Sequence, residues 1–412
     1  MVLARLYVAP PTFLERPFHE FDQATSSVKD QVCRLDCRLG VLEQSVRQRA
    51  FDCVHLYFKG TIKSSIDSRT ATEDIISLAD IKLLPDFVPR LSESHPVSNI
   101  DAFHAEFHFD VPTVIATASG VYRPLPLSTI VTGSASVTQT SALTDHRILR
   151  GKCQVSYWVE AQFHSGGRRI GGVREAVQIS APYPALRAYL PVRSPVTVQA
   201  TPNVLTRYMF QKSPDLSVTL YGFDMLIARH EGTDKPQSAL LTAALEMKGS
   251  PCAESGTFDS RQSFQCAVEA KWAVGTRFSI VSTAGNARRL KVGESIYIKT
   301  TLSTQSTSPV FRPLLPEKGD HTWTEPSFPV AAAQLILSVP RAISQPSYHF
   351  DHLSRAYYLD LSFSFLNIPG VPRHHAHINI PITVVSWSAH TDAPPKYQPP
   401  KYQVLQNEAV VL

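Results

Sequence analysis

Apolar and polar residues alternate along much of the chain, and the clearest run is VSYWVEAQF at residues 155–163. Its apolar members share one face and its polar members the other: Val155, Tyr157, Val159, Ala161 and Phe163 against Ser156, Trp158, Glu160 and Gln162. This period of two predicts a strand with one face on a core and one in water. Gly166 and Gly167 suit a tight turn, and VREAVQIS then resumes the alternation, so the segment predicts a β-hairpin.

Similar short stretches recur on both sides of this hairpin. They are CRLGVLE (37–43), VHLYFKGTI (54–62), AFHAEFHFDVP (102–112), PVTVQA (195–200), SFQCAVEAKWAV (263–274), SIYIKTTLS (295–303), AQLILSVP (333–340), YYLDLSFSFL (357–366) and HINIPITVVSW (377–387). Because no regular helical crossovers separate them, they predict antiparallel β-sandwiches in an all-β protein and not a parallel sheet.

One segment, TEDIISLADIKLL, carries a different spacing. Its apolar residues Ile75, Leu78, Ala79 and Leu83 would share one face of a helix. We therefore expect a short helix here that covers a sheet.

The length of 412 residues favours two domains, since single cores rarely grow beyond about 250 to 300 residues. Prolines interrupt the strand pattern in APYPALRAYLPV, and after Trp387 the alternation gives way to Pro, Lys, Tyr and Gln. We predict an N-terminal β-sandwich at 1–186, a second β-sandwich at 187–388 and a disordered tail at 389–412.

Charge and cysteine content narrow the function classes. A net charge of +5, with no run of five or more like charges, argues against nucleic acid as the main partner. The six cysteines are sparse, and Cys33 and Cys37 lack a second pair for zinc, so we expect reduced thiols, no bound metal and no cofactor. No signal peptide or membrane-spanning segment is expected, and the composition favours a cytosolic protein.

The tail contains the tetrapeptide Pro-Pro-Lys-Tyr twice. Its predicted binding residues are Pro394, Pro395 and Tyr397, then Pro399, Pro400 and Tyr402. A Pro-Pro pair pre-sets a polyproline II backbone, the form that the aromatic grooves of WW domains bind. An inert Pro-rich spacer is the alternative, but it would not need a tyrosine at the same offset in both copies.

The two copies start five residues apart, which is about 15 Å in polyproline II geometry. Two folded domains would collide at that distance. The pair is therefore predicted to offer alternative sites to one WW domain and not to bridge two.

Polar clusters elsewhere compete for a functional role. His104, Glu106 and His108 would share a strand face and could hold a metal, but the apolar residues between them favour a solvated face opposite a core face. His375 and His377 favour the same interpretation. Because the sequence has no nucleophile elbow, phosphate loop or H-E-x-x-H helix, it does not support an enzyme.

Two arginine pairs are candidates for acidic cargo segments or anionic lipid headgroups. Arg168 and Arg169 follow the hairpin turn, and Arg288 and Arg289 fall in an expected loop. The alternative is that they only keep these loops in water.

Two long segments resemble the arrestin family, and fungal arrestin-related trafficking adaptors (alpha-arrestins) in particular. Residues 149–184 are similar to the hairpin that closes the first sandwich of that family. Residues 357–387 resemble the final strands of its second, immunoglobulin-like sandwich, including an I-P-I sequence at Ile380, Pro381 and Ile382. About thirty residues precede the first matching strand, and no buried charged cluster of the receptor-binding members is recognised.

The resemblance implies a function. Family members with Pro-Pro-x-Tyr motifs beyond the second sandwich link membrane transporter or receptor cargo to a WW-domain HECT-type ubiquitin ligase. The chain is thus expected to promote cargo ubiquitylation, endocytosis and sorting from the cytoplasm, with recruitment to the plasma membrane or endosomes. The alternatives are a trafficking scaffold that recruits no ligase and a β-sandwich hydrolase or metal protein that uses His104, Glu106 and His108.

Overall fold

The computed structural model describes 14 stretches of the chain. They are residues 2–15, 31–89, 102–116, 122–138, 146–180, 185–189, 196–202, 215–221, 224–228, 238–248, 263–282, 293–313, 327–366 and 373–386. Nearly all of these residues lie in antiparallel strands.

The described residues of the first half form twelve strands, one short α-helix and a 3-10 turn at Leu84–Asp86. The elements are β1 (Ala4–Val8), β2 (Thr12–Glu15), β3 (Gln31–Val41), α1 (Glu43–Arg47), β4 (Cys53–Ile66), β5 (Arg69–Leu83), β6 (Val88–Pro89), β7 (Phe103–Pro112), β8 (Val114–Ala116), β9 (Tyr122–Pro124), β10 (Thr129–Thr138), β11 (His146–Ser165) and β12 (Arg168–Val177).

The second half consists of thirteen strands in the described residues. They are β13 (Ala185–Tyr189), β14 (Val196–Pro202), β15 (Asp215–Tyr221), β16 (Asp224–Ala228), β17 (Ser238–Lys248), β18 (Phe264–Gln265), β19 (Ala267–Ser279), β20 (Ser295–Thr307), β21 (Val310–Pro313), β22 (Ser327–Ser338), β23 (Tyr348–His349), β24 (Leu353–Phe365) and β25 (His374–Ser386).

Two sheets of the first half enclose one apolar core. One sheet has the order β1-β3-β7-β6, with β2 also on β3, and the other has the order β10-β11-β4-β5, with β12 also on β11. Their inward residues, among them Leu35, Phe58, Tyr157 and Phe163, are almost wholly buried. The N-terminal strand belongs to this sandwich, because Ala4 pairs with Val41 in β3.

The strands of the second half form one long curled sheet around a separate core. Its order is β18-β21-β22-β17-β15-β14-β25-β24-β19-β20, with β13 on β16 and β25 and with β23 on β24. Trp272, Phe311, Tyr357 and Phe363 lie at the centre of this core. The chain is therefore all-β and built of two antiparallel β-sandwiches, as its alternating pattern predicts.

The predicted hairpin is confirmed. β11 pairs with β12 across the Gly166–Gly167 turn, where φ is +56° and +75°. Val155 to Phe163 alternate between the buried and the outward face as expected. The expected domain boundary at residue 187 lies within β13, whose partners β16 and β25 both belong to the second half.

The helix expected in TEDIISLADIKLL is wrong, because this segment is the extended strand β5. Gly60 of β4 pairs with Ile76 and Thr61 pairs with Asp74, so Ile75 is the extra residue of a β-bulge. The extra residue shifts by one position the alternation of inward and outward side chains along β5. Ile75, Ile76 and Leu78 all contact the core as a result, which imitates a helical spacing.

Side chains from the second half complete the core of the first. Phe278, Ile296, Tyr348, Phe350 and Leu353 belong to the same buried cluster as the first sandwich, and we call their contact with β4, β10 and β11 the seam. Burial of such large apolar groups stabilises a contact by about 1.5–3 kcal/mol each. The two sandwiches therefore pack as one body.

Two glycines admit these side chains. A Cβ at Gly133 would lie 2.3 Å from Ile298 Cδ1, and a Cβ at Gly151 would lie 2.7 Å from both Ile296 Cδ1 and Phe278 Cε2. Gly151 also faces the backbone oxygen of Ser65, 2.9 Å from the same point, which a side-chain rotation cannot relieve. The close approach thus depends on the absence of a side chain at both positions.

Polar groups also cross the seam, at partly buried and at exposed positions. The Ser64 hydroxyl donates to the backbone oxygen of His352 (3.0 Å), and the His352 N–H donates to the Glu73 carboxylate (3.1 Å). The Arg69 guanidinium donates to the oxygen of Gly293 (2.7 Å). Burial raises the pKa of Glu73 in spite of the hydrogen bonds that its carboxylate accepts from backbone N–H groups. These bonds fix the register of the contact.

We expect Gly151→Ala to lower the free energy of unfolding by about 1–3 kcal/mol, because the new methyl group overpacks the seam. Urea denaturation followed by tryptophan fluorescence measures the change. Gly171→Ala is the matched control, since a Cβ there meets nothing within 4 Å and the substitution should leave stability within about 0.5 kcal/mol. Equal stability of the two variants would contradict the packing at the seam.

Candidate functional site

Two groups of predicted site residues lie outside the described residues. They are the motif residues Pro394, Pro395, Tyr397, Pro399, Pro400 and Tyr402, and the pair Arg288 and Arg289. WW-domain binding and the role of the second arginine pair therefore stay predictions. The part of the candidate site that the structure places is the tip and outer face of the β11–β12 hairpin.

The hairpin tip presents its first arginine to solvent. Arg168 pairs with Ser165 directly after the Gly166–Gly167 turn and is exposed. The turn is anchored by the Gly166 N–H, which donates to the Asp52 carboxylate (2.5 Å). Arg168 is thus displayed on a fixed turn, as an arginine that contacts an acidic ligand would need to be.

The second arginine is engaged within the sheet. Arg169 Nη2 donates to Glu160 Oε1 over 3.1 Å, and Lys59 Nζ lies 3.4 Å from Glu160 Oε2. The Gln162 amide donates to Glu160 as well (2.8 Å). The two arginines therefore differ in their surroundings. Arg168 faces solvent, whereas Arg169 neutralises a carboxylate of its own sheet.

Glu160 is the residue that the sequence analysis did not single out. Partial burial would raise its pKa, but the hydrogen bond from Gln162 and the charges of Lys59 and Arg169 outweigh burial and hold the pKa below its usual range. In the observed register Arg169 lies opposite His164 and Glu160 lies opposite Arg174, with a bulge after Phe163 between them, so the contact of Arg169 with Glu160 is diagonal and the alternating pattern alone does not reveal it.

Aromatic rings fix further cations on this face. The Arg174 guanidinium lies 3.7 Å from the centroid of the Trp158 ring, and Lys59 Nζ lies 4.7 Å from that of Tyr57. Such stacking holds a cation at the surface without neutralising it. Arg174 is thus held on the outer face of the hairpin, and Lys59 of the neighbouring strand β4 is shared between the Tyr57 ring and Glu160.

The His104, Glu106 and His108 side chains take the outward face of β7, while Ala105, Phe107 and Phe109 are buried. An open hollow of about 530 Å³ lies beside Glu106 and His108, and Tyr7 and Arg38 of the neighbouring strands also line it. Within the described stretches no three His, Cys, Asp or Glu side chains converge as metal ligands. The alternation predicted for this strand is confirmed.

The remaining candidate residues lie in strands, where they take part in packing or hydrogen bonds of the fold. His375 and His377 are exposed on β25, and a hydrogen bond of 3.0 Å joins His375 Nδ1 to the Ser364 hydroxyl. Cys33 and Cys37 point into the first core, where burial raises the pKa of each thiol to about 12. At neutral pH both thiols therefore keep their protons in this apolar core.

The chain was compared with models of known protein families and with curated proteins, and neither comparison found a match. Among the described residues no helix is both long and apolar enough to cross a bilayer.

We expect Arg169→Gln to raise the pKa of Glu160 toward its ordinary value, because the substitution removes one of the two cations beside the carboxylate. A lowered pKa means that the network stabilises the fold above the unfolded pKa and stops doing so as the pH falls through the folded pKa. Carbon-detected NMR titration of the glutamate carboxyls gives the shift. Arg168→Gln is the control, and an equal shift in that variant would show that the Arg169 contact is not the cause.

Proposed function

We propose that this protein is an adaptor that holds a WW-domain HECT-type ubiquitin ligase beside a membrane transporter or receptor cargo. The observation that carries the proposal is the duplicated Pro-Pro-Lys-Tyr motif, which follows the last strand of two tandem β-sandwiches. The resemblance of both sandwiches to arrestin-related adaptors supports the same function. The protein would act in the cytoplasm and be recruited to the plasma membrane or endosomes, where cargo ubiquitylation leads to endocytosis and sorting.

The two sandwiches contribute a rigid body to this function. Because the seam joins them, cargo held on one surface stays at a set distance from the base of the tail. The adaptor then acts by proximity, which raises the effective concentration of the ligase near the cargo.

Four of the six cysteines are unsuited to carry a thioester to ubiquitin. Burial raises the pKa of Cys33, Cys37 and Cys266 to about 12 and that of Cys153 to about 11, so these thiols are poor nucleophiles. The ligase would supply the cysteine that carries ubiquitin.

The exposed hairpin arginine is our candidate for contact with acidic cargo segments or anionic lipid headgroups. Arg168 is free to reach a ligand above the turn, while Arg169 and the cations stacked on Tyr57 and Trp158 keep the local potential positive. Arg288 and Arg289 are proposed for the same role on the basis of the sequence alone.

We expect the full chain to bind a WW-domain ligase fragment, and Tyr397→Ala/Tyr402→Ala to weaken this binding at least tenfold, because each tyrosine fills the second pocket of the groove. Isothermal titration calorimetry measures the affinity. It also gives the stoichiometry, which should be one WW domain per chain since the motifs lie about 15 Å apart.

Lys396→Ala/Lys401→Ala is the matched control, because the variable position of each motif faces solvent and its loss should change the affinity less than twofold. Unchanged binding by the double tyrosine variant would reject ligase recruitment through these motifs. The alternative function, a trafficking scaffold that recruits no ligase, would then be favoured. Binding of two WW domains at once would reject the model of alternative sites.

We expect Arg168→Glu to reduce sedimentation with liposomes that contain phosphatidylserine, because the change places negative charge at the exposed tip of the hairpin. The loss should shrink as the salt concentration rises. Arg341→Glu makes the same change of charge at an exposed turn of the second sandwich and serves as the control. Equal sedimentation of the wild type and Arg168→Glu removes the lipid contact.

A further inference from the structure

Two tyrosines meet over a glycine on the outer face of the second sandwich. Gly275 lies in β19, and a Cβ at this position would be 2.4 Å from the Tyr297 hydroxyl and 2.8 Å from Cε2 of Tyr358. The rings from β20 and β24 can lie across the sheet only because residue 275 has no side chain. We call Tyr297, Tyr358 and Gly275 the tyrosine platform.

Hydrogen bonds and charges hold the platform in place. The two tyrosine side chains are hydrogen-bonded to each other, and Lys299 Nζ donates to Asp360 Oδ2 over 2.7 Å beside them. The Asn379 amide donates to the other oxygen of Asp360. Burial and the contact with Tyr358 raise the pKa of Tyr297 to about 12, so at neutral pH its hydroxyl keeps its proton.

The platform is exposed at Tyr297 and partly buried at Tyr358. The Tyr297 side chain is 44% exposed, although aromatic rings of the two cores are almost wholly buried. The Arg277 guanidinium and Lys299 Nζ lie 5.8 and 5.5 Å from the ring centroids of Tyr297 and Tyr358, at the outer limit of cation-π contact. Ring surface therefore remains open between them.

Open tyrosine rings with hydroxyl groups form the kind of surface that binds polyproline II segments. Proline rings pack flat on aromatic faces, and the backbone carbonyls of this conformation have no internal hydrogen bonds, so a hydroxyl can donate to them. The tail of this chain offers four prolines and two tyrosines between Pro394 and Tyr402.

The tail also starts within reach of the platform. β25 ends at Ser386, and the segment before β23 lies beside this end, since the Ser347 N–H donates to the oxygen of Val384 (2.7 Å). At the level of Tyr297 the strands follow the order β20, β19, β24, β23 and then the end of β25. Tyr297 and the end of β25 are thus separated by about four strand spacings, or about 19 Å. Eight residues lead from Ser386 to Pro394, and an extended chain of that length spans about 27 Å.

We propose that the segment from Pro394 to Tyr402 binds the tyrosine platform of its own chain and is thereby withheld from WW domains. The inference rests on the proposed function in one respect, since it names the regulation of the same tail. A WW domain would have to displace the segment from the platform before it could bind. Any ligand that covers Tyr297 and Tyr358 would release the tail.

The expected size of the effect follows from the tether. A short flexible linker gives an effective concentration of the order of 1 mM, so a platform with a dissociation constant of a few hundred micromolar would hold the tail most of the time. The apparent affinity of the full chain for a WW domain would then be about threefold to tenfold below that of an isolated tail peptide.

The first experiment does not depend on any WW domain. Trypsin cuts after Lys396 and Lys401, and binding to the platform should protect both bonds. We expect Tyr297→Ala and Tyr297→Ala/Tyr358→Ala to be cut at these two bonds several times faster than the wild type, as measured by mass spectrometry of the released peptides. Thermal melting confirms that each variant is folded, and the single variant removes the more exposed ring.

Leu240→Ala/Ile336→Ala is the matched control. These two side chains lie opposite each other on β17 and β22, are 54% and 66% exposed, and present apolar surface of the same sandwich away from the platform. The control should be cut at the wild-type rate. Equal cleavage of the wild type and the platform variants overturns the inference, and protection that grows with protein concentration overturns it in favour of a second copy.

The second experiment separates this inference from the proposed function. A fluorescently labelled WW domain is titrated with a peptide of residues 389–406, with the full chain and with the platform variants. The inference predicts weaker binding by the full chain than by the peptide and recovery in the variants. Equal binding by all of them overturns the inference and retains ligase recruitment, while failure of the peptide to bind rejects ligase recruitment and leaves the trypsin result to decide the inference.

Discussion

Each strand has only two faces, and this constraint determines which residues of the protein can act on a partner. Inward positions are filled by the apolar residues of two cores, so every chemical group that a ligand can reach comes from an outward position or a turn. Glu160 and Arg169 meet because they share an outward face, and so do Tyr297 and Tyr358. The surface is therefore assembled from residues that are distant in sequence and adjacent in register.

The seam adds a second constraint, since it packs one sandwich against the other. Its glycines allow the strands to approach, its apolar side chains exclude water, and its polar groups fix the register. Under the proposed adaptor function, this packing would set where a bound cargo lies relative to the ligase. The same would hold for any cargo that binds an outward surface of either sandwich.

The alternating pattern predicted the sandwiches and the β11–β12 hairpin because a period of two is a local property of the chain. The helix expected around Leu78 was wrong because a bulge at Ile75 depends on the partner strand, which the pattern of one segment does not contain. The contact of Arg169 with Glu160 and the platform over Gly275 depend on register in the same way. The isolated glycine inside the strand WAVGTRF was a local sign of the platform, since glycine in a strand often marks the close approach of another group.

The seam also bears on how the protein is made. Domains usually fold in turn as they emerge from the ribosome, at about 5–20 residues per second. Here the first core lacks Phe278, Ile296 and Leu353 until the second half has been synthesised, which takes on the order of ten to thirty seconds after residue 187. During that interval the apolar residues of the first sandwich that pack on the seam stay uncovered, so the first half reaches its final core only when the second half has folded.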